Sequence, residues 1–471
     1  MQENQFDLIV IGGGPGGSTL STLVAMRGYK VLLLERQKHP RYQIGESTLP
    51  YTLGICKLLG LGAELSRAGF TNKLGGIWWW GSSGNVVSVD FRAVVPEPVL
   101  EGAYAYQVER SKFDEILFRN ALSHGVDARE RHVVEDLIEE NGRIVGVRYT
   151  DEHGNRHVAR ARYVADAGGH SSPFHQLCGQ RIFAERFRNF ALFCYFNGGK
   201  RLPEPMSGSI LNVTFKHGWF WYIPLAPNLT SLGAVLPMGN ASLLKDGHDP
   251  AMRGFIDDCP LIKEYLAGAE RITKGTYGQY RIRKDWSYLN TKFWRPGLIL
   301  VGDAACFVDP LFSTGIHLST YSALLAARSI NTLLGGSSNE DLYFNEFENR
   351  YRTEYAKFYT FLSSFYDENQ TKEEYFRTAG EILRGKEDDY KAFVRLVSGW
   401  STLEAGGATS AATEKWTDEP PRTLSEKSFG NAFEESESDI FSMALGTAPL
   451  GLRSDRLAPS SDGLTWREAP N

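Results

Sequence analysis

Apolar residues along this chain fall into short unbroken runs in some segments and recur at fixed intervals in others. Residues 6–11 form a near-continuous apolar run leading into glycines, which predicts a first strand buried on both faces. A helix is expected from Ser18 to about Arg27, then a second buried strand at 31–34 ending at Glu35. Far downstream, 298–301 repeats the short apolar run and ends in Gly302-Asp303-Ala304. In between, 189–196, 210–215, 219–225 and 231–236 read as antiparallel strands separated by Gly/Asn turns. The period of two sends Trp219 and Trp221 to one face. Pro224 cannot donate to a ladder and is expected to end or border that strand. A long helix is expected from about Ile316 to Leu334. Phe344, Phe347, Tyr351, Tyr355 and Phe358 then recur at helical spacing within a helical C-terminal unit. From about Gly406 the composition turns to Ser, Thr, Glu, Pro and Ala, with acidic Glu434-Glu435-Ser436-Glu437, which predicts a flexible or loosely packed tail.

A chain of 471 residues is long enough for two or three structural units. With 42% apolar and 23% charged residues it is an ordinary globular protein, and a net charge of −5 points to neither nucleic acid nor an anionic membrane. The five cysteines are scattered, odd in number and free of any CxxC pair. That fits a reducing compartment without a disulfide framework or metal site. No apolar run approaches a membrane span, and the first strand leads straight into glycines, so a cytoplasmic protein is expected.

Gly12, Gly14 and Gly17 follow the first strand in GxGxxG spacing. Gly12 permits the tight turn, Gly14 lets a pyrophosphate approach the backbone, and Gly17 lets helix and strand pack closely. The helix N-terminus offers oriented N–H groups to phosphate. Glu35 stands where an acid binds ribose hydroxyls. Strand, turn, helix, strand and acid in order predict a dinucleotide site, with Pro15, Ser18, Arg36 and Arg41 as further candidate contacts.

The Gly302-Asp303-Ala304 strand end resembles the second flavin motif of the class A flavoprotein monooxygenase superfamily. Tyr106-Gln107-Val108-Glu109-Arg110 resembles that family's strand-to-helix segment, in which Gln107 and Arg110 are the matching cofactor contacts. Asp166-Ala167-Gly168-Gly169 matches its third segment loosely. The resemblance implies FAD, bound in extended form, with Asp166, Gly302 and Asp303 among its contacts. No second GxGxxG unit is present to hold NAD(P)H, which agrees with FAD supplied already reduced by a separate flavin reductase.

Within that superfamily, Trp219-x-Trp221-x-Ile223-Pro224 resembles the signature of flavin-dependent halogenases. The segment 307–315, with Pro310 and Ser313-Thr314-Gly315, is similar to their flavin-ring helix start. The first N–H groups of a helix are unpaired and its dipole favours anions. By the resemblance, chloride or bromide sits on Thr314 and Gly315, with Pro310, Gly315 and Ile316 beside the flavin. Phe70 to Gly76 resembles the segment bearing the halogenases' active-site lysine, and Lys73 is the matching position. The implied chemistry runs through a flavin C4a-hydroperoxide to hypohalous acid, which Lys73 receives and passes to an electron-rich ring. Trp219 and Trp221 keep that ring from the flavin and so prevent hydroxylation. Gly45-Glu46-Ser47-Thr48-Leu49-Pro50 looks like the loop crossing the flavin, with Glu46 and Ser47 on the cofactor side.

One departure narrows the substrate. The tryptophan-halogenase branch carries a glutamate before Ser-Thr-Gly, and this chain has Phe312. The pattern resembles the branch acting on phenols and pyrroles, free or tethered to an acyl or peptidyl carrier protein, in natural-product biosynthesis. The rivals are an aromatic hydroxylase on the same fold, a saturating flavin reductase acting on isoprenoid lipids, and a non-catalytic flavoprotein.

The expected fold is α/β. A Rossmann-like FAD-binding domain spans 1–185 and 280–335, with 76–100 partly on the substrate side. An antiparallel-sheet substrate domain spans 186–279, a helical unit 336–405 and the polar tail 406–471. Asp285 lies near the flavin in this resemblance and receives no role.

Overall fold

The computed structural model describes residues 4–80, 85–94, 103–284, 286–367, 370–383, 388–400 and 457–468. Asp285, residues 81–84 and 95–102, and most of the expected tail lie outside the described residues.

The apolar runs pair as buried parallel strands. Arg156–Asp166 lies between Asn4–Ile11 and Leu298–Leu300, and Val31–Glu35 and Asp127–Glu130 extend the sheet beyond the first strand. Helix Pro15–Ala25 covers one face and packs against helix Thr314–Leu334. Both helices begin earlier than the pattern predicts. Pro15 starts the first because proline at the first helical position costs no hydrogen bond.

The second sheet is built on Asn189–Asn197, Leu229–Pro237, Gly218–Ala226 and Ile210–Phe215, paired antiparallel. Two earlier strands, Gly75–Trp80 and Asn85–Asp90, extend it, the first pairing parallel to Ile210–Phe215. Arg281–Lys284 joins the same sheet at Asn189–Asn197, so this strand pairs with the antiparallel sheet, although the expected boundary put it in the segment 280–335. Pro224 does not end its strand. Pairing continues to Ala226 through a bulge, the irregularity that accommodates a residue without an N–H.

Alternation along Gly218–Ala226 divides its side chains between two cores. Trp219, Trp221 and Ile223 join the main core with the parallel sheet and its helices, whereas Phe220 and Tyr222 pack outward against Met252, Phe255 and Ile262. Helices Glu340–Phe365, Lys372–Leu383 and Asp389–Val397 close the remaining side.

The expected loose tail fails for its last part. Leu457–Pro459 and Trp466–Glu468 form a hairpin with Leu457, Leu464 and Trp466 buried. Trp466 lies between the guanidinium groups of Arg328 and Arg350, 5.2 and 4.7 Å from its ring, and its indole donates to Ser329 at 3.0 Å. One anchoring aromatic and two leucines hold this segment, which composition averaged over the tail conceals.

Candidate active site

The glycine turn is shaped by close packing. A Cβ on Gly17 would sit 1.8 Å from the carbonyl oxygen of Gly12, and one on Gly12, at φ +98°, would sit 2.5 Å from that of Ala167. Gly14 has only Arg41 nearby, at 3.5 Å, leaving its face open. No side chain caps the helix that follows and no acid stands in its first turn. Ser18 turns its hydroxyl back to the carbonyl of Gly13. Glu35 accepts the N–H groups of Gly13 and Gln37, both at 2.8 Å, bracing the turn. Arg41 and Arg110 share Asp114, with Nη1 of Arg41 at 2.9 Å and Nε of Arg110 at 2.7 Å. Arg110 also donates to the carbonyls of Ile44 and Gly45. Arg36 is exposed and reaches only Ser171, at 3.4 Å.

Asp166 lies buried at the end of its strand. Its carboxylate accepts Gly168 N at 2.9 Å and Ser172 Oγ at 2.7 Å, so it holds its own loop together. Asp303 follows Gly302 (φ +63°), where a Cβ would meet Ser319 Oγ at 2.7 Å. Burial raises both acids to about 6, and Arg110 pulls Asp303 the other way.

The loop 45–50 ties these parts to the lysine. Ser47 bridges to Gln107, and Thr48 bonds Tyr106 through both backbone and hydroxyl. Glu46 is buried and accepts Tyr195 Oη at 2.7 Å, and burial raises it to about 7. Lys73, on strand Thr71–Lys73, is 2% exposed. Its Nζ donates to Thr48 O at 3.0 Å and reaches Ser313 Oγ at 3.4 Å, with the ring of Phe91 at 5.5 Å. Burial lowers its pKa to about 7.

Ser313 precedes helix Thr314–Leu334 in the left-handed region, at φ 59°, an uncommon conformation for a residue with a side chain. No side chain caps this helix and its first turn holds no acid, so its first N–H groups have no side-chain acceptor from the cap residue. Thr314 Oγ1 folds back to Asp309 O, and a Cβ on Gly315 would strike Phe307 at 2.9 Å. Pro310 and Ile316 flank the same turn. The tryptophans lie 6.4 Å apart, ring to ring, and Trp80 adds a third indole 6.2 Å from Trp219. A Cβ on Gly233 would enter the Trp221 ring at 2.2 Å, so only glycine leaves it room.

The tryptophan halogenase family model matches residues 7–100 and 92–419. A tryptophan 2-halogenase from Chondromyces crocatus is 30% identical over 419 residues, 86% of this chain and 77% of the relative. The chain belongs to the tryptophan halogenase family. It is a flavin-dependent halogenase, and its relatives do not favour the hydroxylase alternative. A 1H-pyrrole-2-carbonyl-(peptidyl-carrier protein) brominase from Pseudoalteromonas luteoviolacea is 31% identical over 336 residues, 70% of this chain and 79% of the relative. The solved structure of the myxobacterial chondrochloren halogenase, a variant of FAD-dependent halogenases, superimposes with a TM-score of 0.81. It is 49% identical and the match covers 98% of this chain and 100% of that one.

The halogenase fits FAD on its own residues. Ser47 Oγ and Gln107 Oε1, on paired backbone, are buried polar atoms without a protein partner, as an absent polar ligand would leave them. Gly14 leaves an open face at an uncapped helix start beside Arg41, as a pyrophosphate requires. Among the described residues no helix is long and apolar enough to cross a membrane, and no group of His, Cys, Asp and Glu could hold a metal ion. Sequence reasoning missed Ser313, Asp309, Tyr195 and Tyr366. Ser313 and Asp309 stand inside the 307–315 motif, which was the available signal; the two tyrosines gave none.

Proposed function

We propose that the halogenase takes reduced FAD from a separate reductase and oxidises chloride or bromide held at Thr314 and Gly315. Lys73 then delivers the halogen to a phenolic or pyrrolic ring. The observation that carries this reading is the Lys73 amine lying 3.4 Å from Ser313 Oγ, on the residue directly before the halide helix. When bound, reduced flavin with oxygen supplies the oxidising equivalent that converts halide to hypohalous acid.

The protein does the rest. Gly14, Arg41 and Arg110 hold the pyrophosphate end, and Ser47 and Gln107 offer the polar atoms they leave unpaired. Lys73, at about 7, is present in both protonation states near neutrality. As ammonium it donates to the oxygen of hypohalous acid. As amine it forms an N–halogen bond while the halogen–oxygen bond breaks, and the amine proton leaves with that oxygen as water. Trp219 and Trp221 admit a small oxidant and exclude a ring. Phe312, against Trp78, Phe361 and Phe365, puts an aromatic surface where a tryptophan-specific glutamate would stand. That supports a phenol or pyrrole, and the likeness to a carrier-protein brominase supports a tethered substrate.

The test combines enzyme, flavin reductase, NADH, FAD and chloride or bromide with phenolic and pyrrolic acids, free and carrier-loaded, and follows product mass. Lys73→Ala should lose product by roughly 10²- to 10⁴-fold, the range for a positioned proton donor, while FAD affinity is unchanged. Halogenation at the wild-type rate in that variant would overturn the lysine's role.

A further inference from the structure

Each indole of the wall is tied toward a different buried acid. Trp221 Nε1 donates to Ser231 Oγ at 3.2 Å, and Ser231 lies beside Glu46 and holds its pKa down. Trp219 Nε1 donates to Tyr366 Oη at 2.9 Å, and that hydroxyl lies 3.2 Å from both carboxylate oxygens of Asp309. Asp309 is fully buried and also receives Leu311 N at 2.9 Å and Trp286 Nε1 at 3.3 Å. Its own carbonyl accepts Thr314 Oγ1. Tyr366 caps the end of helix Glu340–Phe365, so the wall is linked through it to the C-terminal helices.

We propose that Tyr366 is a positioning residue: with Asp309 it locks the indole of Trp219 to the loop that opens the halide helix, fixing the spacing between wall and halide. This rests on the wall reading above. The direction of the bonds makes the lock specific. Ionised Asp309 only accepts, so the Tyr366 proton must point to it, leaving the tyrosine lone pairs for the Trp219 N–H. Asp309 in turn cannot shift without releasing Leu311 and Thr314. The phenol ring is held independently against Phe187 at 5.2 Å and Trp80 at 6.0 Å, so removing the hydroxyl leaves the packing in place.

Tyr366→Phe is therefore the decisive variant, with Trp219→Phe as its partner. In the cofactor-free enzyme, ultraviolet resonance Raman spectra report hydrogen bonding at indole N–H groups. Tyr366→Phe should lose the bonded signal that Trp219→Phe removes altogether. In the reconstituted reaction, the share of consumed oxygen released as hydrogen peroxide should rise about 2- to 10-fold, the population shift that one net hydrogen bond sets. The double variant should leak no more than either single one. An unchanged indole signal in Tyr366→Phe overturns the lock. A lost signal with unchanged coupling overturns its purpose, as do additive leaks. Wild-type halogenation by Lys73→Ala would instead strike the lysine's role in the halogen-transfer reading, and the indole signal stands apart from that result.

Discussion

At the dinucleotide end the working parts are backbone: Gly12 and Gly17 in contact, Gly14 open, and a helix start without a cap. The charged side chains there are paired: Arg41 and Arg110 share Asp114, and Glu35 accepts two backbone N–H groups. At the lysine end the working parts are side chains brought from distant segments, and the titratable ones sit uneasily. Lys73 is lowered to about 7, Glu46 raised to about 7 and Asp309 raised to about 6, each chiefly by burial. One end is held by backbone fit and paired side chains. The other keeps groups near their titration points, where a proton or halogen can move.

The largest effect should come from breaking the backbone end. Gly17→Ala places a methyl 1.8 Å from Gly12 O, with no side chain to yield. FAD binding, measured by calorimetry, should be lost, while the substrate-side sheet keeps its near-ultraviolet dichroism. Retention of wild-type affinity would mean the turn tolerates a different course.

Next comes the cost of burying Lys73. Its folded pKa is about 7, whereas the unfolded chain titrates near 10.4. Between these values the unfolded state binds more protons, so this group's contribution to stability rises with pH. Below pH 7 both states are charged and the full penalty applies. Lys73→Met should thus stabilise the fold by roughly 4 kcal/mol near pH 6, at about 1.4 kcal/mol per unit, and the gain should vanish above pH 10. Urea melts of both proteins across that range would show it. A gain independent of pH would mean that Lys73 binds its proton equally in both states and stays charged in the fold.

The same contrast explains what the sequence discloses. Gly12, Gly14 and Gly17 are legible because their work is local, and Trp219 and Trp221 share a face because strand period alone decides it. Tyr366 reaches Trp219 across 147 residues and Tyr195 reaches Glu46 across 149, so neither pairing leaves a mark on local pattern. Asp166 reads as a cofactor contact because its motif position is familiar, and its bonds to Ser172 and Gly168 are local ones that the motif does not announce. Trp466 is a single aromatic in a polar stretch, and only the arginines around it show why that hairpin folds.

A smaller effect separates the lysine from its neighbour. Ser313→Ala removes the 3.4 Å partner and keeps the 3.0 Å bond to Thr48 O. Halogenation should fall about tenfold or less, consistent with one hydrogen bond, without a change in FAD affinity. A loss as deep as Lys73→Ala would give Ser313 a part in the chemistry itself.

The smallest effect tests the dinucleotide end from its rim. Arg36 and Arg41 were both candidate cofactor contacts, but they stand in different surroundings. Arg41 is half-buried beside Gly14 and fixed by Asp114 at 2.9 Å, so its charge is less screened than one in open solvent. Arg36 is exposed and touches only Ser171, at 3.4 Å, where solvent screens it and its side chain must first be ordered. Arg36→Ala should therefore weaken FAD by no more than about fivefold, the limit for an exposed ionic contact. The weakening should shrink further in 0.5 M salt, about where screening acts within a few ångströms. Arg41→Ala should weaken FAD more, and salt should change that loss little. Equal, salt-sensitive losses in both variants would place the phosphates at the surface, and Arg41 and Arg110 on Asp114 would then serve the fold alone.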